Sequence, residues 1–113
     1  MPFIHVKTNQ KITAAQEQAL KTQLGEAIAL IPGKTERWLM VQVEDGDRLW
    51  FAGSNAPAAL LEVQLFGRAQ PKDYDRLTAK LTRITADALQ IPADRVYIPY
   101  AELTQWGWNS ENF

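Results

Sequence analysis

Apolar residues alternate in short β-branched or aromatic runs and recur at helical spacing between them. Phe3 to Val6 reads as a strand. Thr13 then offers a helix N-cap, and Gln16 three residues later completes a capping box. Ala19, Leu20, Leu24, Ala27, Ile28 and Ile31 follow as one helical stripe, stopped by Pro32 and Gly33. Trp38 to Val43 (WLMVQV) reads as a second strand, with Asp45-Gly46 as its turn signal. The order then repeats. Leu60 to Phe66 is a strand, and Pro71 opens a helix whose stripe is Leu77, Leu81, Ile84 and Ala88, with Ile91-Pro92 at its end. Val96 to Tyr100 (VYIPY) is the fourth strand.

Two βαβ units, roughly 2–45 and 60–101, therefore make one α+β domain over residues 1–113. The pattern predicts a four-stranded mixed sheet with two pseudo-symmetric halves and right-handed crossovers. Both helices fall on one face. The other face still carries apolar residues and is left uncovered, which predicts closed symmetric association with further copies of the chain. Pro99 places the last strand at a sheet edge, because proline cannot donate to a ladder.

Composition narrows the chemistry. Twelve Lys and Arg against thirteen Asp and Glu give a net charge of -1 with no basic stripe, so nothing points to nucleic acid. The absence of cysteine excludes disulfides, thiol redox chemistry and Cys-ligated metals. No apolar run is long enough for a bilayer, and no signal-peptide pattern opens the chain, so a leaderless cytoplasmic protein is expected. His5 is the only histidine and reads as an ordinary strand side chain. The acidic residues lack metal-ligand spacing, no GxSxG is present, and FAGSNAP lacks the spacing of a phosphate loop.

Three features remain. A small residue at position 2 permits removal of Met1, which would make Pro2 a free secondary amine. Surrounded by apolar groups, such an amine would have a depressed pKa, poised for proton transfer. Proline at this position is also common as an inert terminus. Lys34, in PGK between helix and strand, is by itself an ordinary solvated loop lysine. The tail WGWNSENF concentrates Trp106, Trp108 and Phe113, and a tail this aromatic is expected to dock. An amine, a cation and aromatic walls together suit a flat, anionic, conjugated small molecule.

The stretches PFIHVKTN, PGK, FAGSNAPAALLEV, PADRVYIPY and GWNSENF, in this order along the whole chain, resemble the macrophage migration inhibitory factor family of the tautomerase superfamily. The resemblance implies a doubled βαβ fold assembling as a homotrimer with sites between subunits. It assigns Pro2 as general base after loss of Met1, and Lys34 to the substrate carboxylate. Trp38, Tyr97, Trp106, Trp108 and Phe113 become the aromatic wall, with Phe66 beside the amine and Tyr97 contributed by the neighbour. The implied reaction is cofactor-independent and metal-free keto–enol tautomerisation of an aromatic α-keto acid such as phenylpyruvate, with dopachrome-type compounds as other substrates.

Two positions depart from the family pattern. Pro99 stands where an asparagine commonly binds substrate, so ring recognition should differ. Ala58 and Leu61 replace the CxxC of the animal cytokines. Competing readings are a signalling protein with vestigial activity and, lower, a dehalogenase or decarboxylase. The last lacks the expected arginines after the first strand, where Thr8, Asn9, Gln10 and Lys11 stand.

Overall fold

In the computed structural model, which describes residues 1–113, the first strand β1 covers Pro2–Thr8. Helix α1 (Ala14–Ala27) starts where the sequence predicts. The Thr13 hydroxyl accepts from the Gln16 backbone N–H at 3.1 Å, and the Gln16 side chain accepts from the Thr13 N–H at 2.8 Å. Such reciprocal caps satisfy two of the helix's orphan donors. Strand β2 is Met40–Glu44, β3 is Ala59–Phe66, and α2 is Pro71–Leu89 with proline in its first turn.

β1 runs parallel to β2 (Phe3 opposite Met40) and antiparallel to β3 (Pro2 opposite Leu65, Thr8 opposite Ala59). The fourth strand position also lies parallel to β3, giving the order β2-β1-β3-β4. Alternation along β1 and β3 sends Ile4, Val6, Leu61, Val63 and Leu65 under the helices, where they meet Leu20, Leu24, Ile28, Leu77, Leu81 and Ile84 with essentially no exposure. Each such side chain contributes about 1.5–3 kcal/mol by leaving water. No helix is long and apolar enough to cross a membrane.

Two sequence expectations need correction. β2 begins at Met40 rather than Trp38, because Glu36–Trp38 winds into a 3₁₀ turn closed by the Trp38 N–H to Thr35 O bond at 3.2 Å. The last strand is two pieces, β4 (Val96–Tyr97) and β5 (Tyr100–Leu103). Leu60 pairs with Tyr97 and Val63 with Tyr100 in the same register, so the gap at Ile98-Pro99 reflects proline's missing donor, not an insertion. The Pro99 carbonyl still accepts from the Val63 N–H at 3.0 Å, and the piece lies at the sheet edge as expected.

The uncovered sheet face carries apolar residues, as expected, but not throughout. It is apolar only toward its ends, at Phe3, Met40, Leu60 and Phe66. Its middle carries His5 bonded to Glu44 at 3.2 Å and Lys7 paired with Glu62 at 2.9 Å. Alternation predicted which residues point outward, but ion pairs rather than aliphatic side chains fill the centre.

Candidate active site

The PGK turn fixes the first candidate cation. Ile31 O accepts from the Lys34 N–H at 3.0 Å across a turn with Gly33 at φ +82°. That geometry favours proline before and glycine at the third position. From there the Lys34 Nζ donates to Phe66 O at 2.8 Å. The Phe66 N–H in turn donates to Met1 O at 3.0 Å, extending the β1–β3 ladder by one rung beyond Pro2. Lys34 therefore stands at the head of the chain. The amine there, carried by Met1, is held below its ordinary pKa by burial first, then by the charge and hydrogen bonding of Lys34. With Met1 in place the Pro2 nitrogen is a tertiary amide and has no basicity.

The tail folds back onto this corner. β6 (Gly107–Trp108) and β7 (Glu111–Asn112) form a hairpin whose central residues Asn109 and Ser110 have φ of 52° and 69°. Positive φ at both positions gives the turn a twist suited to paired strands. The Phe113 N–H closes it on Trp106 O at 3.0 Å. Docking follows through rings. Phe113 lies 5.7 Å from Phe66 and 6.4 Å from Trp108, and Trp108 meets Trp38 edge-on at 5.0 Å. These separations lie in the attractive range for aromatic pairs.

Pro2, Trp38, Trp106 and Trp108 line one cavity of about 460 Å³, and Lys34, Phe66 and Phe113 stand beside it. Seven of the nine residues expected at the site are thus gathered at one end of the sheet. Tyr97 and Pro99 are not among them. Tyr97 pairs with Leu60 and Pro2 with Leu65, a separation of roughly 17 Å at the rise of a strand. Tyr97 instead lines a second, wholly hydrophobic cavity of about 400 Å³ with Leu49, Trp50 and Phe51, against whose ring it packs at 4.6 Å.

The sequence reading missed Arg37 and Gln64, which also line the Pro2 cavity. Recognising Thr35-Glu36 as the start of a turn would have freed Trp38 from the strand and set Arg37 beside it in the turn. Gln64 carries no local signal. No group of His, Asp or Glu side chains is placed to hold a metal ion.

Comparison with known proteins agrees along the full length. The family model for macrophage migration inhibitory factor (MIF) matches residues 1–113. The macrophage migration inhibitory factor of Meriones unguiculatus is 32% identical, covering 100% of this chain and 99% of its own. Among solved structures, Leishmania major MIF2 superposes with a TM-score of 0.93 at 28% identity, covering 100% of this chain and 97% of that one. A homologue from Prochlorococcus marinus gives 0.89 at 25% identity, covering 98% of each chain. A doubled βαβ sheet with its tail folded over the first residue, together with the match over all 113 residues, shows that the chain belongs to the macrophage migration inhibitory factor family.

Proposed function

We propose that this protein is a cofactor-independent keto–enol tautomerase of aromatic α-keto acids such as phenylpyruvate, with dopachrome-type compounds as secondary substrates. The observation that carries the reading is the position of Pro2, in a tryptophan-lined cavity with Lys34 at the chain head. Family membership supports isomerase chemistry in general, and this geometry supports the finer assignment.

Removal of Met1 turns the Pro2 nitrogen into a secondary amine in the environment that now depresses the Met1 amine. In its neutral form, which that environment favours, the nitrogen takes the benzylic proton of the keto acid. The electron pair moves to the carbonyl oxygen, and the proton returns there to give the enol. Microscopic reversal gives the ketone. Lys34 holds the substrate carboxylate and favours the enolate by its charge. The flat wall of Trp38, Trp106, Trp108, Phe66 and Phe113 keeps the aryl ring and carbonyl coplanar, so that the broken C–H bond overlaps the π system.

Tyr97 completes the site only from another copy of the chain. The exposed Trp50 and Tyr97 (65% and 62% of their surface) and the polar-centred open sheet face are what a closed trimer would cover, with intersubunit sites. Tyr97 and Pro99 of the neighbour then face substrate, and the cytoplasm is the expected compartment.

Replacing Pro2 by Gly tests the reading. The variant should lose at least about 100-fold of phenylpyruvate turnover, the scale of a positioned general base, while its sedimentation is unchanged. Undiminished turnover would remove Pro2 from the mechanism.

A further inference from the structure

Arg37 is a cation without a partner. The ion pairs of the chain join His5 to Glu44, Lys7 to Glu62, Lys21 to Glu36 and Arg76 to Asp73, and none includes it. Its sequence neighbour Glu36 is already taken by Lys21, at 3.6 Å. The guanidinium lies 5.2 Å from the Trp38 ring centroid, so a cation–π contact holds it against the aromatic wall. Trp38 is in turn braced edge-on by Trp108.

Among the residues lining the Pro2 cavity, Arg37 has the only charged side chain, and no carboxylate accompanies it. Lys34 is not on that wall, its Nζ being tied to Phe66 O at the chain head. The two cations therefore stand at different places around the same aromatic surface. Lys34 is engaged with the chain head, whereas Arg37 faces the Trp38 ring.

We propose that Arg37 forms a second anion subsite, and that the preferred substrates are aryl keto acids carrying a further acidic group on the ring. This rests on the tautomerase reading of the same site. The keto-acid carboxylate is held at Lys34, the ring lies along Trp108 and Trp38, and the distal carboxylate takes the planar fork of Arg37. A bidentate guanidinium–carboxylate pair beside an indole face suits arginine better than lysine. Gln64 lines the same cavity and offers an amide donor.

Binding and turnover together test it, with the Met1-free protein. Calorimetry should find unreactive 4-carboxycinnamate bound about tenfold more tightly than cinnamate, the scale of one charge-assisted hydrogen bond. Arg37→Gln should abolish that difference and leave cinnamate within about twofold. Arg37→Lys should recover only part of it, because the fork is lost. In turnover, Arg37→Gln should raise KM for 4-carboxyphenylpyruvate with kcat and phenylpyruvate kinetics little changed. Equal affinities of the native protein for both cinnamates, or equal weakening of both in Arg37→Gln, would overturn the subsite. Loss of the base assignment has a separate signature. Turnover undiminished in Pro2→Gly removes the proton-transfer reading and leaves the calorimetric result standing.

Discussion

Two positive groups converge on the first residue, and their competition sets what the terminal nitrogen can do. Burial disfavours the charged amine, and the Lys34 ammonium disfavours it further. Both lower the amine's pKa, so the neutral, proton-accepting form persists to lower pH. In the Met1-free protein, Lys34→Gln should therefore raise the amine's pKa. The acid limb of the kcat/KM profile for phenylpyruvate should move to higher pH, along with a weaker KM. An acid limb at the same pH would mean that burial alone tunes the nitrogen. Pro2 and Lys34 were singled out through the family resemblance, since alone one reads as an inert terminus and the other as a solvated loop lysine. Arg37 was not. Nothing about a charged residue beside a tryptophan says that it lacks a partner, which depends on Lys21 reaching Glu36 from α1.

Among the elements, the loop between β2 and β3 shows how one side chain can organise backbone that has no regular partners. The Arg95 guanidinium donates to the carbonyls of Pro57 (2.9 Å), Ser54 (3.0 Å), Ala56 (3.1 Å) and Phe51 (3.2 Å), and lies over the Phe51 ring at 5.3 Å. Phe51 packs on Tyr97, so this clamp also braces the aromatic residue assigned to the neighbour's site. Arg95→Ala should lower unfolding stability by about 1–3 kcal/mol, the cost of stranding such acceptors, as read by denaturant melts. Arg95→Lys should restore only a fraction, because an ammonium cannot fork across several carbonyls. An Ala variant as stable as the parent would show that water replaces the clamp at no cost. None of this was visible in FAGSNAP, whose glycine and proline announced a loop but not what holds it. Helix α1, by contrast, could be read to its first residue from Thr13 and Gln16. Trp38 deceived the reading because it runs straight into the apolar stretch LMV, and a single helical turn has no period long enough to show.

At the scale of the whole molecule, both ends of the sheet carry cavities and its uncovered middle carries ion pairs. The alternation of the strands announced a second face, but not that charge would occupy its centre. Tertiary pairing between β1, β2 and β3 decided that by placing His5 opposite Glu44's strand and Lys7 opposite Glu62's. The rung between Phe66 N–H and Met1 O has a consequence for the protein's history. The residue whose removal would expose the amine also contributes a hydrogen bond to the sheet, worth about 1 kcal/mol. In the proposed tautomerase the newly made chain would thus be better knit than the Met1-free one, giving up cohesion for reactivity. Protein prepared with Met1 retained should melt at a higher temperature than the processed form and show no phenylpyruvate turnover. A lower melting temperature for the retained form would show that this rung does not hold the sheet together. A higher one would mean that folding comes first and competence second, with the methionine as a brace discarded once the sheet has closed around it.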